Sequence, residues 1–229
     1  MSENNLQHVA FILDGNRRWA KNKGKLAAQG HREGAETVKQ AALRCQELGI
    51  PYATFWALST ENMRERSDTE LMVMFDMITR IPEYFSELVD KGIRMRTIGD
   101  ISSLPEKCRR VLSEMDEKTK DFTSLVVTLA INYGGRDEIL RATRKLVSQG
   151  IPPEQVTEGA FTQALDSHPF PDPDLIIRTG GKKRLSGYLP WQSIYAELYF
   201  IDTLWPDFDA AELDKAIDYF HSVQRNFGH

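Results

Sequence analysis

Short apolar runs rich in β-branched residues recur along the chain at residues 8–13, 52–58, 93–98 (here with Arg94 and Arg96 interposed), 125–131 and 175–177. Runs of this length without polar alternation read as strands covered on both faces. Helical patterns separate them. Residues 34–48 carry Ala35, Val38, Ala42 and Cys45 on one stripe that ends at Gly49. Residues 69–91 form a long segment rich in Met, Phe and Leu, with Asp68 or Thr69 as a candidate cap and Gly92 as a stop. Residues 105–120 start on a proline, and residues 136–149 and 210–220 complete the helical set. Alternating strand and helix predicts α/β architecture: a single domain over residues 1–229, with a mainly parallel central sheet flanked by helices and joined by right-handed crossovers.

Composition narrows the function classes. The 229 residues carry 29 Lys plus Arg against 33 Asp plus Glu, a net charge of −4, which argues against a general nucleic-acid binder. Only Cys45 and Cys108 occur, without metal-ligand spacing, so neither a disulfide framework nor a structural zinc is expected and a reducing cytoplasm fits. No apolar run approaches the roughly 20 residues of a membrane span, and no secretory signal is apparent. Peripheral membrane contact stays compatible with this pattern.

In open parallel sheets, ligands sit beyond the carboxyl ends of the strands. The residues that follow three of the runs are therefore informative: 14–19 (DGNRRW), 59–62 (STEN) and 178–184 (RTGGKKR). Asp14, directly after five apolar residues, is a candidate ligand for Mg²⁺, a hard cation that takes one or two carboxylates plus waters and phosphate oxygens. Asp-Gly is equally turn chemistry. Gly15, Asn16, Arg17 and Arg18 offer backbone donors, an amide and two guanidiniums suited to phosphate. Residues 178–184 set two glycines among four cations and suit a second diphosphate, or form a charged surface loop. No Walker loop, dinucleotide fingerprint, HExxH, CxxC or DDxxD occurs. The apolar side chains of residues 71–78 are core or the wall of an apolar cavity.

Taken together, these blocks resemble the cis-prenyltransferases. HVAFILDGNRRWA at 8–20, Gly30-His31, STEN at 59–62, NYGGR at 132–136, RTGG at 178–181, and the stretches 191–200 and 204–208 stand in family order over nearly the whole chain. The resemblance is nearest to the bacterial branch that makes undecaprenyl diphosphate, the lipid carrier precursor for cell-wall synthesis. It implies a homodimer with a long apolar tunnel between sheet and helices. It also implies Mg²⁺-dependent, repeated cis addition of isopentenyl diphosphate to farnesyl diphosphate. By that resemblance Asp14 holds Mg²⁺ with the allylic diphosphate, Gly15, Asn16, Arg17 and Arg18 line that diphosphate with His31 beside it, and Trp19 flanks the prenyl chain. Ser59, Thr60, Glu61, Asn62 and Met63 lie near the reacting carbons, with Asn62 in the proton-accepting network. Arg178, Arg184 and Ser186 bind isopentenyl diphosphate, and Glu197 adds a metal carboxylate near the subunit boundary. The chain departs from the family in places. Ala27 stands where an Arg is usual, with Lys23 or Lys25 as substitutes. Met63 replaces an aromatic, Arg66 competes with Arg64 for one family position, Lys182 replaces an acid, and Pro190 is unusual. Non-catalytic partner subunits of this family lack the metal Asp or the Arg-rich motif; this chain keeps both.

Overall fold

All five residues of β1 (His8–Ile12) are buried, as a strand covered on both faces requires. The computed structural model that shows this describes residues 6–223. In chain order β1 is followed by α1 (Asn16–Asn22), α2 (Ala27–Glu47), β2 (Tyr52–Ser59), α3 (Thr60–Glu65), α4 (Asp68–Thr79), α5 (Ile81–Tyr84) and α6 (Ser86–Asp90). Then come β3 (Ile93–Ile98), α7 (Glu106–Thr119), β4 (Leu125–Tyr133), α8 (Gly135–Ser148), α9 (Glu158–Ala164), β5 (Leu175–Arg178), β6 (Glu197–Phe200) and α10 (Ala210–Ser222). The six strands form one sheet in the order β3-β4-β2-β1-β5-β6, and every neighbouring pair is parallel. The chain leaves β1 toward β2 on one side and returns to β5 on the other. The crevice at the carboxyl ends of β1 and β5 is therefore the topological switch point, where such sheets bind ligands.

Two apolar layers cover the sheet. One gathers Phe11, Phe55, Trp205 and Phe220 beneath the helices, with Phe11 and Phe55 stacked at 4.6 Å. The other gathers Ala10, Ile12, Tyr133 and Tyr188 beneath the segment between β5 and β6. Among the described residues no helix is long and apolar enough to cross a membrane.

The fold departs from the expected elements in three places. The first long helix starts at Ala27, earlier than the predicted residue 34. Gly30, outside the predicted helix, and Gly34, its predicted start, both lie inside α2. A Cβ on Gly30 would stand 2.2 Å from the Asn16 carbonyl oxygen, and one on Gly34 2.3 Å from Asn16 Oδ1, so the glycines are there to let α1 pack closely. The predicted helix over 69–91 is three pieces: Pro82 sits at the start of α5, and α4 ends at Thr79 with Arg80 out of helical geometry. The aromatic stretch at 191–205 contains an unforeseen edge strand, β6, paired with β5.

Candidate active site

Ile12 of β1 is in register with Trp56 of β2 and with Arg178 of β5. β1 and β5 end at this row and β2 runs on to Ser59 beside β4, and the polar residues beyond them converge as the sequence pattern predicts. They line an open cleft of about 1020 Å³ that takes in Asp14, Arg17, Arg18, Asn62, Arg66 and Arg178. Six Lys or Arg side chains line this cleft against two carboxylates, Asp14 and Glu61. A protein of net charge −4 thus concentrates positive charge at one rim, which suits a polyanion.

Asp14 is the hub. Its Oδ1 accepts from Arg18 Nη2 at 2.9 Å and its Oδ2 from Arg178 Nη2 at 3.0 Å. Its backbone carbonyl accepts from the Thr179 hydroxyl at 2.8 Å and from the Trp205 N–H at 3.1 Å. Gly15 follows at φ 125°, and a Cβ there would press on Leu204 at 2.9 Å, so the turn tolerates only glycine. Arg178 is buried. It donates to the Arg184 carbonyl and, at 2.9 Å, to Ser186 Oγ, which binds the 178–186 loop to the end of β5. On the far wall Ser59 caps α3 by accepting from the Asn62 backbone N–H at 3.0 Å, and Asn62 lines the cleft.

An apolar cavity of about 90 Å³ adjoins the cleft. Leu13, Asn16, His31 and Ala57 border both spaces, and Val38, Met74, Met77 and Ile78 continue the apolar wall between α2 and α4. His31 stands at the junction. Burial, then the guanidiniums of Arg66 and Arg17, lower its pKa to about 4 against an opposing pull from Glu70, so the imidazole is neutral at pH 7. Burial also lowers the pKa of Arg66, and Glu70 sits 3.4 Å from Arg17 across the cleft mouth. Of the two arginines that compete for one position, Arg66 lines the cleft and Arg64 does not; Lys25 and Lys21 line it beside Ala27, and Lys23 does not.

Other expected site residues lie elsewhere. Trp19 is buried under α1, donating its indole N–H to Asp207 at 2.6 Å; α1 turns it away from both cavities. Met63 packs against the core, and buried Thr60 fits against Gly134, whose Cβ would lie 2.2 Å from Thr60 Oγ1. Arg184 is exposed and touches the site through its carbonyl and a 3.2 Å bond from Nε to Ser186 Oγ. Glu197 begins β6 opposite Leu175, while Arg178 pairs with Phe200. Three residues of strand, about 10 Å, separate Glu197 from the rim, so it does not share an ion with Asp14 of its own chain. Trp56 is a wall residue that the sequence pattern hides inside an apolar run.

The family model described as "Putative undecaprenyl diphosphate synthase" matches residues 12–228. The chain belongs to that family. Like other cis-prenyltransferases, it is an enzyme of prenyl transfer in isoprenoid synthesis. The isoprenyl transferase of Treponema denticola is 42% identical over 224 residues, 97% of each chain. That of Aquifex aeolicus is 42% identical over 97% of this chain and 95% of its own. Among solved structures, lavandulyl diphosphate synthase from Lavandula x intermedia, in complex with dimethylallyl diphosphate, superposes with a TM-score of 0.94 at 35% identity over all of both chains. A probable undecaprenyl diphosphate synthase from Campylobacter jejuni superposes with a TM-score of 0.82 at 34% identity, covering 98% of this chain and 99% of its own. In this prenyltransferase the cationic cleft lies beside an apolar cavity, a polar and an apolar space side by side. The long tunnel that the family implies is only the 90 Å³ cavity here.

Proposed function

We propose that the enzyme elongates farnesyl diphosphate by repeated cis addition of isopentenyl diphosphate to give undecaprenyl diphosphate, in the cytoplasm and as a homodimer. The observation that carries this reading is the pairing of a cleft of excess cations with an apolar cavity that share Asn16 and His31 as a border. Arg17, Arg18 and Arg66 face the allylic diphosphate, with neutral His31 beside it, and the carbon chain enters between α2 and α4. Arg178 and Ser186 hold the isopentenyl diphosphate. The cations take up charge as the allylic C–O bond breaks. The isopentenyl double bond then attacks, and a proton is lost beside Asn62. A carboxamide is a poor base, so Asn62 orients and the released diphosphate accepts.

Among the described residues no group of three His, Cys, Asp or Glu side chains could hold a metal alone. Asp14, in a cleft whose other carboxylate is Glu61, fits Mg²⁺, which binds through one or two carboxylates and substrate phosphate. Asp14 would hold the ion, which would supply charge neutralisation for the leaving diphosphate. Exposed Ile194 and Leu198 beside and on the edge strand β6 support a subunit interface, which would also offer Glu197 to a second copy.

The small cavity and the likeness to lavandulyl diphosphate synthase favour a second reading, a shorter product. Incubation with Mg²⁺, farnesyl diphosphate and labelled isopentenyl diphosphate, followed by sizing, decides between them. Product of eleven isoprene units is expected; shorter product refutes the chain length, and absence of incorporation refutes the substrates. Light scattering at micromolar concentration is expected to give a dimer mass.

A further inference from the structure

The carboxyl rim of the sheet has two faces, and they differ. Ala57 borders the apolar cavity between α2 and α4, but Trp56, its neighbour on β2, points to the opposite face, as successive strand residues do. Trp56 packs against the cluster of Ile12 and Tyr188, whereas Leu13 and Ala57 pack with the other core. Arg178 lies on the Trp56 face too. Ile176 belongs to the Tyr188 cluster and Ile177 to the other, so the alternation returns Arg178 to the former. Trp56, Ile12 and Arg178 therefore form one lateral row across β2, β1 and β5, with outer backbones about 10 Å apart.

Trp56 is the one Phe, Tyr or Trp side chain on the cleft wall, and it is held in place. Its indole N–H donates to the Tyr133 carbonyl at 3.0 Å. Its ring stacks on Tyr188 at 4.9 Å and 12°, and the Tyr188 hydroxyl donates to the Thr54 carbonyl at 3.2 Å. A ring fixed in this way offers apolar surface without an ordering cost on binding. The rest of that face of the cleft, around Arg178 and Ser186, is polar.

We infer that Trp56 is the seat for the carbon chain of the acceptor, a short alkenyl diphosphate whose phosphates rest on Arg178 and Ser186. This rests on the proposed function above, because it assigns the Arg178 side of the cleft to the acceptor. The row from Arg178 over Ile12 to Trp56 has the length of a five-carbon unit extending from a diphosphate. The face opposite, with its separate cavity, takes the growing chain, so the sheet rim keeps the two hydrocarbons apart until they react.

Calorimetric titration in Mg²⁺ without an allylic primer tests this without turnover. Wild-type enzyme is expected to bind isopentenyl diphosphate about tenfold more tightly than inorganic diphosphate, the scale of burying a few methylenes against a ring. Trp56→Ala is expected to lose that preference while holding inorganic diphosphate within about twofold. Trp56→Phe, which keeps an aromatic face and lacks the indole N–H, is expected to keep most of it. A wild-type enzyme without the preference overturns the inference whether or not the variants fold. So does an Ala variant that weakens both ligands equally or neither, and so does a Phe variant as poor as Ala. Failure of the proposed function looks different: the preference persists and no polyprenyl product forms.

Discussion

Asp14 is bound into the structure by the same groups that are expected to meet substrate, so its replacement should cost both stability and turnover. In Asp14→Ala the carboxylate between Arg18 and Arg178 disappears. The Arg18 side chain is 46% exposed, and an ion pair there contributes little. The Arg178 side chain is 6% exposed, and stripping one partner from a fully buried charge costs about 3–5 kcal/mol. Arg178 keeps its bonds to the Arg184 carbonyl and Ser186, and Asp14 is itself 28% exposed, so we expect about 2 kcal/mol. For a chain of this length that lowers Tm by about 4–8 °C. Arg178→Met should cost less, because Asp14 retains Arg18 and water. The double variant should be more stable than the sum of the single losses implies, by about 1–2 kcal/mol, as for groups in direct contact. Urea unfolding of all four proteins measures this, and single-turnover incorporation of labelled isopentenyl diphosphate measures the chemistry. Asp14→Ala should lower turnover by about 10²–10³ or more. Additivity within about 0.3 kcal/mol would refute the coupling, and turnover within tenfold of wild type would remove Asp14 from the reaction.

His8 lies between Pro171 O and Thr54 Oγ1 at 2.7 and 2.8 Å with Asp174 nearby, and burial lowers its pKa from 6.5 to about 4. The unfolded chain therefore binds the proton first, so stability falls as pH drops from about 6.5 toward 4, by about 3 kcal/mol from this group. Urea unfolding at pH 7 and 4.5 should show a smaller drop in His8→Gln, with the lowered pKa of His31 sustaining part of it. An unchanged drop refutes the assignment to His8. Buried Glu138 accepts from the Tyr133 hydroxyl at 2.6 Å, Gln192 at 3.0 Å and the Asp166 N–H at 3.0 Å. Glu138→Ala should therefore cost about 3 kcal/mol or more, and Glu138→Gln distinctly less, by thermal melts. Gly34→Ala reverses the usual helix rule: its Cβ would strike Asn16 Oδ1 at 2.3 Å, costing about 1–3 kcal/mol. Gly159→Ala in α9, with open space around the new Cβ, should gain about 0.5 kcal/mol, and equal effects from the two would refute the packing account.

β1, β4 and β5 were legible because they are buried on both faces or nearly so and carry no polar alternation, while β3 showed as a short run alternating Ile93, Met95 and Arg94, Arg96. Pro82 was visible in the sequence as well. The period of Met74, Ile78, Ile81 and Phe85, all buried, simply runs on through the break, because α5 and α6 wrap the same core in separate turns. The early start of α2 at Ala27 was missed for the opposite reason: Gly30 and Gly34 stand in its first turns. Their role is contact with α1, a tertiary demand that overrides the low helix propensity of glycine. The strand β6 was hidden because an edge strand of four residues with exposed Leu198 lacks the burial that marked its neighbours.

The site divides along the same line. Asp14, Asn62 and Arg178 stand where apolar runs end, and polarity after a buried strand is a local signal. Trp19 was expected beside the substrate and lines neither cavity, while Trp56, inside an apolar run, lines the cleft: an aromatic beside arginines looks like a wall and one inside an apolar run looks like core. What separates them is the direction of the backbone. The turn of α1 sends Trp19 inward to Asp207, while the register of β2 leaves Trp56 on the last row it shares with β1. The charges were visible, but their junction was not: Arg17, Arg18, Arg66 and Arg178 line one cleft, and Asp14 joins two of them, bonding to Arg18 through Oδ1 and to Arg178 through Oδ2. On the proposed reading, each addition lengthens the chain on the α2 face and empties the Trp56 face for the next acceptor. A 90 Å³ cavity must then widen as the chain grows. Flexible Met74 and Met77 in its wall can yield where branched side chains would resist, and the break between α4 and α5 lets that wall shift without unwinding a continuous helix.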